Sequence, residues 1–186
     1  MNFSFEVTVN SLMIKTPAHN LLTQLDRIEQ DRKELFEEVQ LLPEEVIRKK
    51  PSEEKWSILE IVEHLVLGED YVLGASEKQL PRKRTPFHFF RYLFVMTILR
   101  SFVKVGVPSR KMRPESKSSL DELSERWENN HQKLRNYLEN LDPDSLSDAI
   151  FFHPISGPLT VQQALNMMEV HLKRHRKQIK AIISQN

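Results

Sequence analysis

The sequence predicts an all-α protein, and two observations carry that expectation. Several long segments place apolar residues three or four positions apart, the spacing of a helix that buries one face. The composition agrees. Of 186 residues 39% are hydrophobic and 28% are charged, with only four glycines, which favours helix over a turn-rich sheet. A chain of this length is expected to form one domain over residues 1–186, with ample material for a buried core.

The amino terminus departs from the helical pattern. Phe3, Phe5, Val7 and Val9 alternate with Ser4, Glu6 and Thr8, which is strand periodicity. A lone strand is not stable, so residues 1–15 are expected to form an arm. It would pair with a short extended segment around residues 150–152 or with a second chain. Thr16-Pro17 then opens a helix, proline suiting the first turn. Leu21, Leu25, Ile28, Leu35 and Val39 form its stripe, Pro43 ends it, and residues 44–50 suit one further short helical turn.

The next helix has a firmly set start. Ser57 followed by Glu60 reads as a capping box, with Trp56 and Ile61 in the positions of the hydrophobic staple. Its stripe runs through Ile58, Ile61, Leu65 and Val72, with His64 at the margin. Gly68 removes bulk one turn further along.

Arg82-Lys83-Arg84 and Pro86 mark a break. Residues 87–104 are the most apolar segment, yet the longest run without a charge is residues 92–99. A spanning helix needs about 20 apolar residues, so no membrane span is expected. The segment either packs on the bundle or at a dimer contact, or turns its aromatics to a substrate pocket or a membrane surface. Residues 105–118 read as a mobile crossover loop whose Arg110, Lys111 and Arg113 are solvated or meet an anionic ligand.

Ser119 and Glu122 form another capping box. Leu120, Leu123, Trp127, Leu134, Leu138 and Leu141 give the buried line of that helix, and His131 falls on the same line. Asp142-Pro143 stops it. Thr160 and Gln163 cap the last helix, whose stripe is Val161, Ala164, Met168, His171, His175, Ile179 and Ile182.

His171 and His175 thus lie on a core-facing stripe, four residues apart, where side chains stack with Cβ atoms about 6 Å from each other. They are two converging metal ligands, or core or interface histidines satisfied by hydrogen bonds. His64 is a third ligand or a polar edge residue. His131 is its rival as third ligand, a hydrogen-bond partner of a ligand, a base, or a structural histidine.

A resemblance bears on these alternatives. Lys55-Trp56-Ser57, Glu63-His64-Leu65, Phe152-His153-Pro154, Gly157-Pro158-Leu159-Thr160 and His171-Leu172-Lys173-Arg174-His175 occur in the order seen in the DinB-like superfamily. The chain most resembles its YfiT-like branch, related to thiol transferases. The resemblance implies a four-helix bundle with a long crossover and a homodimer. It also implies a divalent metal held by His64, His171 and His175, and its members include bacillithiol- and mycothiol-dependent enzymes.

Imidazoles suit zinc, nickel, copper or iron, with zinc or nickel the first candidates. Three protein ligands leave a position for water or substrate, as in catalytic sites. The cation would acidify a bound water or thiol. That chemistry allows hydrolysis or thiol transfer, and the resemblance implies the second, transfer of a low-molecular-weight thiol to a small electrophile. Metal-dependent hydrolysis, or a non-catalytic bundle with a structural metal, are the alternatives. Glu60, Glu63 and Glu169 would orient the histidines, with Glu63 and Glu169 alternatively solvated on the surface.

The chain has no cysteine, which excludes disulfides, thiolate zinc sites and a cysteine nucleophile of its own. A net charge of +1 is too small to argue for nucleic acid. With no basic segment followed by an apolar core at the amino terminus, a cytoplasmic protein acting on a small molecule is expected.

Overall fold

Four long helices carry the core. In the computed structural model, which describes residues 17–76, 83–101, 103 and 106–185, the elements run α1 (Pro17–Gln40), α2 (Glu44–Arg48), α3 (Ile58–Ser76), α4 (Pro86–Arg100), α5 (Leu120–Glu139), β1 (Phe151–His153), β2 (Gly157–Leu159) and α6 (Val161–Ile183). The expected amino-terminal arm lies outside the described residues, as do Arg82, Phe102 and Lys104.

Helix α1 packs on α5 and α6, and α3 packs on the same two, so the bundle closes in the ring α1-α5-α3-α6. The step from α3 to α5 is the long crossover, and α4 lies on it as an addition packed on α6 and β2. This all-α architecture is the one that the apolar periodicity predicts. The stripe residues Leu21, Leu25, Ile28, Leu35 and Val39 of α1 are all buried, as are Leu123, Trp127, Leu134 and Leu138 of α5. Trp127 meets Phe36 edge to face, ring centroids 5.5 Å apart, a contact worth about 1 kcal/mol beyond its area.

The three capping boxes form as their spacing requires. The backbone N–H of Ser57 donates to Glu60 Oε2 at 2.8 Å, and that of Glu60 to Ser57 Oγ at 3.2 Å. Ser119 with Glu122, and Thr160 with Gln163, repeat the exchange. Each cap is worth about 1 kcal/mol, and together they fix where α3, α5 and α6 begin.

Three details differ from the sequence reading. Helix α3 is buried almost all round from Ile58 to Val66, because α2, α5, α6, β1 and the crossover cover it on every side. His64 is therefore inside the bundle, not on a margin. The crossover carries local structure between its prolines: Arg110–Met112 forms a turn of 3-10 helix with Ser109 as its cap, and Met112 is buried. Finally, β1 pairs with β2 as a short antiparallel hairpin, Phe151 opposite Leu159 and His153 opposite Gly157. Gly157 has φ +79, and a Cβ there would come within 2.9 Å of the His88 ring, so only glycine lets α4 approach the hairpin.

Candidate metal centre

Three imidazoles converge between α3 and α6. One-helical-turn spacing places His171 and His175 on the inner face of α6, their Nε2 atoms 3.0 Å apart. From α3, His64 brings its Nε2 to 3.2 Å from His171 Nε2. Among the described residues these are the one set of His, Asp or Glu donors whose ligand atoms all fall within 4.8 Å of one another.

The opposite edges of two rings are already committed. His64 Nδ1 donates to the carbonyl of Met112 at 2.8 Å, and His175 Nδ1 lies 3.0 Å from Gln178 Oε1. With Nδ1 protonated, each neutral ring presents a bare lone pair at Nε2. A proton on His171 Nε2 satisfies only one of the two neighbours. Three nitrogens so close together thus lack the hydrogens to satisfy each other, a deficit that a cation removes. Nitrogens held at a zinc-like bond length would be separated by about 2.9 Å at a right angle and about 3.4 Å at a tetrahedral one. The two separations of 3.2 and 3.0 Å lie within that interval. The residues present fit a divalent metal.

Electrostatics keep the rings in the ligand form. Burial pushes His175 down to about 3, helped by the neighbouring His64. Burial also holds His171 well below the ordinary histidine value, with His175 and His64 adding to it. His64 is lowered by the same desolvation, which its bond to the Met112 carbonyl opposes. All three are neutral at pH 7.

The walls come from unexpected places. Trp56 packs on the His64 ring, centroids 4.8 Å apart. Glu63 turns away from the histidines: its Oε2 accepts the backbone N–H groups of Glu115 and Ser116 at 3.1 and 2.8 Å. That grip ties down the crossover segment whose Met112 carbonyl orients His64. Glu60 is engaged with Ser57 and Lys50, and Glu169 with Gln24 and Lys173. The oxygens that orient the histidines come instead from Met112 and Gln178. Neither was legible: one is a backbone carbonyl distant in sequence, the other an ordinary helix glutamine whose only signal is its place one turn after His175.

Gly68 sits beside the centre, where a Cβ would lie 3.7 Å from Met112 Cε and 3.8 Å from His171 Cε1. Its missing side chain leaves room next to His171. His153, from the hairpin, accepts the N–H groups of Ile155 and Ser156 at Nδ1, which leaves its own proton on Nε2. Burial, with Arg91 adding to it, lowers His153 to about 4.

His131 is not part of this group. Its Nδ1 is 2.7 Å from Glu29 Oε2 and its Nε2 3.5 Å from Glu69 Oε2. The ring N–H groups are not aligned along these contacts, so they are ion pairs more than directed hydrogen bonds. Burial opposes a charge on His131, but Glu69 and Glu29 outweigh it and raise the ring to about 9. His131 is a buried cation bridging α1, α3 and α5.

Fold and site together define a helical bundle with a three-histidine centre. The family model for the DinB superfamily matches residues 27–179, and the chain belongs to that superfamily. No curated protein and no solved structure matches it significantly. Membership and the histidine triad fit a metal-dependent protein. No helix among the described residues is long and apolar enough to cross a membrane.

Proposed function

We propose that this chain is a metal-dependent enzyme that transfers a low-molecular-weight, bacillithiol-like thiol to a small electrophile. His64, His171 and His175 would hold a divalent cation, zinc or nickel. The observation that carries the reading is the donor set. Three neutral Nε2 atoms converge, from the buried His64 and His175 and the half-buried His171, while Glu60, Glu63 and Glu169 all have their carboxylates engaged elsewhere. Three protein ligands leave room for an exchangeable one, the arrangement of catalytic centres. Bound there, the cation would supply Lewis acidity, lowering the pKa of a water or thiol placed beside it.

The chain's own residues prepare the position. Met112 and Gln178 hold two rings with their lone pairs inward. Trp56 shields the His64 ring, and Gly68 leaves space beside His171. The choice of thiol rests on the likeness to the bacillithiol- and mycothiol-dependent branch, which also supports a homodimer and a single domain.

The test is turnover by zinc- or nickel-loaded protein with bacillithiol and an electrophile bearing a halide leaving group. Formation of the S–C bond with release of halide, lost in His171→Ala, is expected. Loaded protein that ignores every thiol but cleaves ester or amide probes would replace this reading with hydrolysis. A metal that does not exchange, and whose removal unfolds the chain, would make it structural.

A further inference from the structure

Residues 78–113 contain ten lysines and arginines and no Asp or Glu, so all 26 acidic residues of a chain with net charge +1 lie outside this stretch. Helix α4 stands in its middle. Phe87, Phe90 and Phe94 of α4 are 66%, 65% and 60% exposed, with Phe89 and Leu93 exposed beside them. Their spacing puts all five on one side of the helix. This is a contiguous apolar face turned to solvent, of the kind that marks a binding surface.

The other side of α4 is firmly held. Tyr92, Val95 and Met96 are buried against the fold. Arg174, the residue before a histidine of the metal centre, donates to the carbonyls of Ile98, Ser101 and Val103 at 2.9, 2.5 and 2.6 Å. The aromatic face is therefore displayed on a braced platform. Exposed Lys83 and Arg84 precede it, exposed Arg100 follows it, and Arg110, Lys111 and Arg113 extend the positive surface along the crossover.

We infer that α4 docks this protein onto an anionic bilayer surface. Phenylalanine and leucine side chains enter the boundary between headgroups and acyl chains, while flanking lysines and arginines meet anionic headgroups. The helix has 15 residues, about 22 Å of length, and lies in the interface plane, being too short to span. Charge selects this occupant over a second copy of the chain. A two-fold contact through α4 would set one basic stretch against the other, and like charges facing each other across an interface are unfavourable. The proposed homodimer accordingly uses another face.

The experiment is co-sedimentation of the full chain with vesicles of mixed phosphatidylglycerol and phosphatidylcholine, and with phosphatidylcholine alone. Binding to the mixed vesicles only, weakening as salt is added, is expected. Phe90→Ser/Phe94→Ser and, separately, Lys83→Gln/Arg84→Gln should each weaken partitioning roughly tenfold or more. Both should keep the wild-type helix content and sedimentation coefficient. Failure of the wild type to bind mixed vesicles at low salt would overturn the inference. So would wild-type binding by the charge variant, whose substitutions are at exposed positions, or a dimer that dissociates when Phe90 and Phe94 are changed.

Discussion

The Nδ1–H of His64 donates to the carbonyl of Met112 at 2.8 Å, and this one bond couples the crossover to the three-histidine cluster. It fixes the tautomer and the rotation of the ring, leaving Nε2 directed at His171. Such outer hydrogen bonds typically change metal affinity by tenfold to a hundredfold.

Glu63 is the handle on that coupling, because it holds the N–H groups of Glu115 and Ser116 close behind Met112. Glu63→Ala should weaken zinc affinity by about tenfold or more without touching a ligand. Glu63→Gln, which keeps an accepting oxygen, should lose less. Competition against a chromophoric chelator measures both.

Met112→Ala keeps the carbonyl but removes a buried side chain. It should cost about 2 kcal/mol or more of stability, as truncation of a buried methionine does, while metal stoichiometry is retained. Chemical denaturation beside metal analysis separates the two effects.

His131 tests the ionic side of the core. Its folded-state pKa of about 9 lies above the ordinary 6.5. The stabilisation it supplies is complete below 6.5 and is lost as the pH rises through about 9. His131→Gln should therefore destabilise the protein by on the order of 3 kcal/mol at pH 7. The gap to wild type should narrow at higher pH, and the variant should still bind metal. Urea unfolding at several pH values reads the trend.

Gly68→Ala should be tolerated, since its Cβ would make only ordinary contacts at 3.7 and 3.8 Å. Gly68→Leu should push into the space shared by Met112 and His171 and reduce metal occupancy. Elemental analysis of the two variants decides whether that space matters.

The helical layout was legible because capping boxes and stripes are local. Ser57 with Glu60, Ser119 with Glu122 and Thr160 with Gln163 each announce a helix start within four residues. The pairing of His171 with His175 was legible for the same reason. The convergence of His64 on that pair was not, because periodicity says which face a residue takes, not which helices adjoin. Only likeness to a family supplied it. His131 shows the ambiguity: its stripe position is as good as His171's, yet α5 carries it to Glu29 and Glu69. The turn in the crossover was hidden because Met112 acts through its backbone, and the hairpin because Phe151–His153 and Gly157–Leu159 are too short to show a period.

Metal content is the most direct measurement of the central claim. Elemental mass spectrometry on untagged wild-type protein, beside His64→Ala, His171→Ala and His175→Ala, should find near-stoichiometric zinc or nickel in the first. It should find little in the other three, with helix content preserved in all. Wild-type protein that carries no metal and takes up neither added zinc nor nickel would contradict the account and leave a helical bundle with three clustered neutral histidines.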